Sequence, residues 1–276
     1  MSRAVAILGK SGTGKTFVAA HLAAAFGYLG ERTLVVGCDP KRDTAHALAG
    51  EQRPALMEAL EAVGFAHDRL DLAEVLLPAG PYVDLVELGA PPLLVGSYAD
   101  MLDEAFHAFG AAGAFEGYAH VIFDVGDDRF DAAVAPLFRR VEAAVGVADE
   151  SIESLVVFNR LLRAALLGSY DHGYPLRVLG AVHNRAVGSV AFDRYVERTR
   201  CFPLLRIPAD AELARLRPFH RTLFSAEPVA EAHRGTREGF VRIADLLRGQ
   251  PFNLYPVMPL EDDAVWRLAP PVTRPN

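Results

Sequence analysis

The chain has 276 residues, of which 51% are hydrophobic and 23% are charged. This composition is that of an ordinary folded protein with a large core, so it excludes intrinsic disorder, collagen and small disulfide scaffolds. The balance of 28 basic against 35 acidic residues gives a net charge of −7, which offers no general attraction to nucleic acid or to an anionic lipid surface. The two cysteines, Cys38 and Cys201, are too few for a disulfide framework or a zinc site and fit a reducing cytoplasm.

The sequence contains no run of about 18 uncharged apolar residues, which is the length that a membrane-spanning helix needs. We therefore expect no membrane span. From the net charge and the two cysteines we also expect no nucleic-acid partner and a cytoplasmic location.

Short apolar runs alternate with longer amphipathic segments along the chain, which is typical of β-α units on a largely parallel sheet. The predicted strands are 4–8, 33–36, 83–88, 120–123, 144–147, 178–182 and 204–207. The predicted helices are 15–28, 54–63, 99–109, 152–167, 190–198, 209–216 and 236–247. Right-handed crossovers place such helices on both faces of one sheet. We predict a single α/β domain of the P-loop NTPase type over 1–249, followed by a proline-rich extension over 250–276 that either wraps the domain or projects from it.

The segment after the first predicted strand, G-K-S-G-T-G-K-T over 9–16, fits the phosphate-binding motif G-x-x-x-x-G-K-[ST]. Glycines in such a loop let backbone N–H groups point at phosphate oxygens, and the helix N-terminus that follows adds a favourable dipole. Lys15 is expected to reach the β- and γ-phosphates of a nucleoside triphosphate, and the Thr16 hydroxyl is expected to ligate Mg²⁺. The expected nucleotide-binding residues of the loop are Ser11, Gly12, Thr13, Gly14, Lys15 and Thr16.

Lys10 makes this loop resemble its deviant form, K-G-G-x-G-K-[ST], with Ser11 in the place of a glycine. In ATPases of that class the early lysine reaches across a dimer interface to the partner's nucleotide, where it stabilises charge that develops in the transition state. The resemblance implies a homodimer in which Lys10 and Lys15 are catalytic. The alternative for Lys10 is a solvated surface lysine, and Ser11 tolerates a positive φ less well than glycine does.

The second predicted strand leads into G-C-D-P-K-R-D-T over 37–44. This segment resembles the first switch, G-C-D-P-K-x-D-[ST], of the nitrogenase iron protein family, which includes relatives in chlorophyll and bacteriochlorophyll synthesis. The resemblance implies that Asp39 is catalytic and orients or deprotonates the attacking water, that Asp43 lies near Mg²⁺, and that Lys41 binds nucleotide. The alternative is that Asp39 and Asp43 only cap the next helix.

The strand predicted over 120–123 delivers Asp124, a carboxylate at the end of an apolar run that we expect to bind Mg²⁺. The sequence V-G-D-D over 125–128 then resembles the second switch of the family, in which Gly126 senses the γ-phosphate. The family reads D-x-L-G-D at this point, so this chain is one residue shorter. Either Asp127 or Asp128 therefore takes the place of the family's aspartate.

Two later strand ends resemble the adenine side of the family's site. Asn184 stands where the family uses an asparagine side chain to hydrogen-bond adenine, and Pro208 and Asp210 fall in a segment that resembles the family's I-P-x-D loop. These matches favour ATP over GTP. His183, next to Asn184, is interpreted as a strand-end residue and not as a ligand.

The resemblance extends from about residue 6 to 247 and is greatest to the iron-protein subunit of chlorophyllide reductase, whose M-E-L-G-G-P is similar to V-E-L-G-A-P over 86–91. In this family each subunit gives two cysteines to one [4Fe–4S] cluster shared across a dimer. The matching positions here are Ser97 and either Asp131 or Phe130, which are poor substitutes for thiolate. Cys38 belongs to the first switch and Cys201 lies far from the cluster motifs, so we interpret both as packing residues and expect no iron-sulfur cluster.

Three hypotheses follow from these motifs. The first is a cluster-free homodimeric ATPase switch, with ATP and Mg²⁺, that acts on an unidentified protein partner. The second is an ATP-dependent electron-donating subunit of a bacteriochlorophyll-type tetrapyrrole reductase. The third is a regulator that binds nucleotide without hydrolysing it.

Overall fold

The computed structural model describes residues 3–39, 41–89, 98–126, 137, 139–172, 176–188, 190–225, 229–249 and 257–269. The strands in this part of the chain are β1 (Arg3–Leu8), β2 (Thr33–Gly37), β3 (Leu77–Gly80), β4 (Val83–Glu87), β5 (His120–Asp124), β6 (Ala143–Ala148), β7 (Arg177–Ala186) and β8 (Pro203–Pro208). They form one sheet in the order β3-β4-β2-β5-β1-β6-β7-β8. Neighbouring strands are parallel except at the β3 edge, where β3 and β4 are antiparallel.

The α-helices of the same residues connect these strands. They are α1 (Lys15–Tyr28), α2 (Asp43–Leu48), α3 (Leu56–Ala62), α4 (Leu72–Val75), α5 (Tyr98–Ala111), α6 (Ile152–His172), α7 (Val190–Thr199), α8 (Ala211–Leu216), α9 (Glu231–Arg248) and α10 (Asp262–Trp266). Short 3-10 helices cover His67–Arg69 and Arg217–Phe219. Among the helices described, none combines the length and the apolar character that crossing a bilayer requires.

Helices cover both faces of the sheet, and the central strand β1 contributes to both layers of the core. Ala6 and Leu8 belong to a buried apolar cluster with α3 and α5 on one face. Val5 and Ile7 belong to a second cluster with α1 and α9 on the other. Because neither face of the central strands meets water, these strands are apolar almost throughout, as is usual for parallel sheets. The predicted α/β architecture is confirmed.

All seven predicted strands and all seven predicted helices are present, with shifts of a few residues at their ends. The pattern did not predict β3, whose sequence L-P-A-G combines proline and glycine, two residues that disfavour strand interiors. It also missed α2, α4 and α10, because helices of six, four and five residues are too short to show a helical period. The helix expected from 209 begins at 211 because Asp210 is its N-cap.

The described part of the C-terminal extension packs against the domain. The helix α10 lies against α6, and Val265 and Leu268 are buried in an apolar cluster there. The buried Asn159 of α6 holds Leu260 at both polar atoms of its backbone: Nδ2 donates to the carbonyl at 2.7 Å, and Oδ1 accepts the N–H at 2.9 Å. Residues 257–269 of the extension therefore wrap the domain and do not project from it. The domain boundary near 249 stays a prediction.

Replacing Asn159 with alanine should detach this segment. The substitution leaves the backbone N–H and C=O of Leu260 and the Tyr195 hydroxyl without their partner. We expect the free energy of unfolding, measured with urea, to fall by about 2–4 kcal/mol. Arg160→Ala is the control on the same helix, since it removes only an exposed ion pair with Asp262 and should cost less than about 0.5 kcal/mol. Equal effects of the two variants would show that Asn159 does not anchor the extension.

Candidate functional site

The phosphate loop joins β1 to α1, and its backbone leaves the start of α1 open to an anion. Gly14 is the N-cap of α1, with a φ of 98°, and the helix start has no side-chain cap. A side chain at this position would also strike Asn184, whose Nδ2 lies 2.2 Å from an ideal Cβ. Ser11 does not adopt a positive φ, so serine at this position imposes no strain on the loop. The N–H groups of the first turn of α1 are thus presented to a phosphate.

Two lysines belong to this loop and differ in their surroundings. Lys15 is buried, and its Nζ donates to the carbonyl of Lys10 at 3.1 Å. The Thr13 hydroxyl donates to the same carbonyl at 2.8 Å, so the backbone of Lys10 fixes the loop. A buried ammonium requires negative charge nearby, and the Lys15 charge acts on Asp124. Lys10 is half-buried.

The end of β7 holds the phosphate loop from the other side. Asn184 Nδ2 donates to the Thr13 carbonyl at 2.7 Å, and Arg185 Nη2 donates to the Gly12 carbonyl at 2.7 Å. Arg185 also pairs with Asp149 at 2.7 Å. The structure therefore places Asn184 against the loop backbone, while its expected contact with adenine stays a prediction. The motifs did not identify Arg185, although its position directly after Asn184 at a strand end was a usable signal.

Two buried carboxylates, Glu87 at the end of β4 and Asp124 at the end of β5, flank the end of β2. Both residues are opposite Gly37 in the strand register, and they are only 4% and 2% exposed. A Cβ at Gly37 would lie 1.9 Å from Glu87 Oε2 and 2.9 Å from the Thr44 hydroxyl. Since residues in register on parallel strands face the same side of a sheet, glycine at 37 is what lets the two carboxylates converge.

These carboxylates hold the first turn of α2. The Thr44 hydroxyl donates to Asp124 Oδ2 at 2.9 Å, and the Ala45 N–H donates to Glu87 Oε1. The N-cap of α2 is Arg42, which has a φ of 57° and makes no side-chain cap. Glu87 was not among the predicted site residues, nor was Thr44, because a motif does not show which side chain from another strand reaches it.

Burial dominates the electrostatics of this group. It raises the pKa of Glu87 to about 7; the Ala45 N–H and Arg42 oppose the shift, and the charges of Asp124 and Asp39 add to it. Burial also raises the pKa of Asp124, against the opposing effects of the Thr16 and Thr44 hydroxyls and the Lys15 charge. Burial and the charges of the neighbouring carboxylates thus act in the same direction, and both favour protonation of Glu87.

Unpaired buried oxygen atoms and the Thr16 hydroxyl offer donors for a magnesium ion at this edge of the sheet. Asp124 Oδ1 and Glu87 Oε2 are buried, and neither has a hydrogen-bond partner among the described residues. Buried polar atoms of folded proteins are otherwise almost always paired. The Asp124 carboxylate and the Thr16 hydroxyl supply the hard oxygen donors that Mg²⁺ prefers. The residues that would hold the ion are therefore Thr16 and Asp124.

The two switch segments meet beside these carboxylates. Gly126 packs directly on Asp39, because a Cβ at Gly126 would lie 2.3 Å from that of Asp39. Asp39 Oδ1 accepts the N–H of Lys41 at 2.9 Å, which closes a tight turn ahead of α2. Asp43 is the first residue of α2, and its side chain is exposed, as is that of Lys41.

On the expected adenine side, Pro208 ends β8 and is exposed. Asp210 Oδ1 accepts the N–H groups of Glu212 and Leu213 at 2.7 and 3.0 Å, and it lies 3.3 Å from His233 Nε2. Asp210 is thus occupied as the cap of α8. A role for Pro208 or Asp210 in binding adenine stays a prediction.

The expected positions of lost cluster ligands, Ser97 and Asp131 with its alternative Phe130, lie outside the described residues. The same holds for Asp127 and Asp128. The two cysteines of the chain both lie in environments that disfavour ionisation of the thiol. Cys201 is buried in an apolar cluster, and burial raises the pKa of its thiol to about 12. Cys38 lies beside the nucleotide site, where burial and then the charges of Asp124, Glu87 and Asp39 raise the pKa of its thiol well above the ordinary value. Cluster ligands are thiolates, and both environments disfavour the thiolate.

A parallel sheet with a glycine-rich loop between its central strand and a helix, a buried loop lysine and a strand-end aspartate defines the class of P-loop NTPases. The chain belongs to the NifH/frxC family of 4Fe-4S iron sulfur cluster binding proteins, whose family model matches residues 3–270. The predicted family is confirmed, and the narrower resemblance to the chlorophyllide reductase branch stays a prediction.

One relative is the light-independent protochlorophyllide reductase iron-sulfur ATP-binding protein of Chlorobium luteolum, which is 29% identical over 275 residues that cover 97% of this chain and 98% of the relative. Among solved structures, the cell division ATPase MinD of Pyrococcus furiosus matches with a TM-score of 0.67 at 17% identity, covering 89% of this chain and 100% of the other. A ParA family ATPase from Chlorobium tepidum matches with a TM-score of 0.64 at 19% identity, covering 88% of this chain and 99% of the other. These two structures share the fold.

The raised pKa of Glu87 predicts a pH dependence of stability. Because the folded chain holds the Glu87 proton more tightly than the unfolded chain, whose ordinary value is 4.5, the stabilisation is complete below that value and is lost as the pH rises through about 7. Between about pH 5 and pH 8 the free energy of unfolding of the wild type should fall by up to roughly 3 kcal/mol relative to that of Glu87→Gln.

Urea unfolding at the two pH values measures this difference. Glu104→Gln, a variant at an exposed position of α5, should follow the wild type. If the free energy of unfolding of Glu87→Gln depends on pH as that of the wild type does, the pKa of Glu87 is not raised in the folded chain.

Proposed function

We propose that this protein is an ATP-binding and ATP-hydrolysing homodimeric switch that acts on a protein partner in the cytoplasm and carries no [4Fe–4S] cluster. The observation that carries the proposal is the attachment of α2, which follows the first switch, to the expected cation ligand Asp124 through Thr44 at 2.9 Å. An ion or phosphate that changes the position of Asp124 or Thr44 must also act on α2. A nucleotide site joined in this way to a movable element has the parts of a conformational switch.

The residues of the loop divide the work of binding ATP. Backbone N–H groups at the start of α1 would receive phosphate oxygens, and the buried Lys15 would turn from the Lys10 carbonyl to the β- and γ-phosphates. Thr16 and Asp124 would hold Mg²⁺, with Asp43 near it. Magnesium supplies charge neutralisation at the phosphates.

Hydrolysis would depend on the two switch segments. Asp39 would orient the attacking water, and Gly126, which packs on Asp39, would sense whether the γ-phosphate is present. Lys41 would contact nucleotide from the same segment. Adenine would lie on the side of Asn184, Pro208 and Asp210, which favours ATP over GTP.

A dimer follows from the role proposed for Lys10. Among the described hydrogen bonds within the loop, Lys10 takes part through its carbonyl, which accepts from Thr13 and Lys15. Its side chain is half-buried, and it would reach the nucleotide of a second copy. Two copies would close on ATP and open after hydrolysis, which presents a different surface to the partner in each state.

The absence of a cluster is proposed from the side chains that the chain offers as ligands. Ser97 and either Asp131 or Phe130 stand at the positions that match the family's cysteine ligands, and the thiols of Cys38 and Cys201 lie in environments that disfavour thiolate. Replacing soft sulfur donors with such side chains removes the ligands that a [4Fe–4S] cluster requires.

The second candidate is an electron-donating subunit of a tetrapyrrole reductase in bacteriochlorophyll biosynthesis. It is favoured by the family description and by the name of the Chlorobium relative, an iron-sulfur ATP-binding protein. This candidate predicts a paramagnetic resonance signal of a reduced cluster after anaerobic purification and treatment with dithionite. The proposed cluster-free switch predicts no such signal.

ATP turnover tests the proposed hydrolysis. We expect Lys15→Ala to lower the turnover rate by about 100-fold or more, because the buried ammonium no longer stabilises phosphate charge. Lys41→Ala changes an exposed lysine of the first switch and should reduce the rate less. If the wild type binds ATP but turns it over no faster than Lys15→Ala, the chain is a nucleotide-binding regulator and the hydrolytic part of the proposal is wrong.

Light scattering tests the dimer. With ATP and Mg²⁺ the mass of the wild type should approach that of two chains, and with ADP that of one. In Lys10→Ala the ATP-dependent dimer should weaken by about tenfold or more, because the cross-dimer charge pair is lost. Arg139→Ala, at an exposed position with an ion pair to Asp103, is the control. Dimerisation that is equal in Lys10→Ala and the wild type would contradict the role of Lys10.

A further inference from the structure

The first turn of α2 is held by two side chains that come from outside the helix. The Thr44 hydroxyl donates to Asp124 Oδ2, and the Ala45 N–H donates to Glu87 Oε1. We propose that Glu87 is a positioning residue of the nucleotide switch, which caps α2 from β4 and so keeps Thr44 on Asp124, coupling the position of α2 to the state of the cation site. The part that concerns nucleotide rests on the proposed function; the capping of α2 does not.

The cap comes from Glu87 because the chain before α2 provides none. The N-cap position is held by Arg42 in the left-handed region, and its side chain makes no hydrogen bond to the helix start. Helices usually take a serine, threonine, aspartate or asparagine there. The Glu87 side chain supplies the missing acceptor for the Ala45 N–H and, when it is ionised, adds negative charge near the positive end of the helix. Because Glu87 is 4% exposed, solvent screens this interaction little.

The arrangement requires a glycine between the two carboxylates. Glu87 and Asp124 are on opposite sides of Gly37 and in register with it. Any side chain at 37 would overlap Glu87 Oε2, and it would also press on the Thr44 hydroxyl. The three strands therefore bring one carboxylate to the hydroxyl and one to the backbone of the same helical turn.

The capping of α2 alone does not explain why a buried glutamate is at position 87. The second oxygen, Oε2, is buried without a described hydrogen-bond partner, which costs stability. A serine or asparagine ahead of α2 would cap it without that cost. Costly buried carboxylates are concentrated at functional sites, and this one shares its surroundings with the expected cation ligand Asp124, whose Oδ1 is also without a described partner.

Movement of α2 would reach other parts of the molecule. Ala47 and Leu48 of α2 are buried in the apolar cluster that includes α1, and Arg42, directly before α2, pairs with Glu58 of α3. A shift of α2 when the cation site is filled would thus act on helices on both faces of the sheet. Glu87 would set how firmly α2 follows Asp124.

Hydrogen exchange on the full chain without nucleotide tests the cap. In Glu87→Ala the amides of 43–48 should exchange about tenfold faster or more, while those of α9 stay as in the wild type. Glu87→Gln keeps an acceptor oxygen at the same reach and should remain within about threefold of the wild type. Should Glu87→Ala fail to fold, Glu87→Asp replaces it, because the shorter side chain keeps the charge but cannot reach the Ala45 N–H. Unchanged exchange of 43–48 in the folded variant would overturn the proposal.

Nucleotide binding tests the coupling by a ratio that general destabilisation does not change. The ratio of ATP affinity with Mg²⁺ to ATP affinity with EDTA should fall about tenfold in Glu87→Ala. Thr44→Val should lower the same ratio, and the double variant should lower it little further, because both act through α2. Asp71→Ala, which removes the side-chain cap of α4, is the matched control and should leave the ratio unchanged.

Independent, additive effects of Glu87→Ala and Thr44→Val on this ratio would overturn the coupling, as would a ratio equal to that of the wild type. If the wild type binds no ATP, the proposed function is wrong, and the exchange experiment still decides whether Glu87 holds α2.

Discussion

The missing side chain at Gly37 allows two buried carboxylates from neighbouring strands to converge over the end of β2. Glu87 and Asp124 lie in register on either side of that glycine, and together they hold the first turn of α2 by the Thr44 hydroxyl and the Ala45 N–H. Parallel strands make this possible, because their carboxyl ends meet at one edge of the sheet, where ligands of open α/β folds bind. The phosphate loop, the two switch segments and Asp124 all lie at that edge.

Two further contacts make the edge a single unit. The end of β7 holds the phosphate loop through Asn184 and Arg185, which donate to the carbonyls of Thr13 and Gly12. Gly126 of the second switch packs on Asp39 of the first. A phosphate and a cation bound here would therefore act on both switches and on α2 together. The proposed absence of a cluster rests on the residues at the expected ligand positions, Ser97 and either Asp131 or Phe130.

The fold could be predicted from the sequence because its determinants are local and repeated: apolar runs of strand length alternate with amphipathic segments, and the phosphate loop follows the first run. The edge strand β3 was missed because the Pro78 and Gly80 within it disfavour strands, while pairing with β4 stabilises it. The motifs also gave Lys15, Thr16 and Asp124, whose positions at one edge agree with the structure. The motifs could not identify Glu87 or Arg185 as site residues, because these residues contact segments that are distant in sequence and that only the folded sheet brings together.

The measurement that tests the central claim most directly is the content of iron and acid-labile sulfide in the chain after anaerobic purification. A cluster shared between two subunits would give about two iron atoms per chain. The account predicts iron and sulfide far below that stoichiometry, also after incubation with ferrous iron and sulfide, in protein that still binds ATP. Iron and sulfide near two atoms of each per chain would contradict it and identify the protein as an ATP-dependent electron donor.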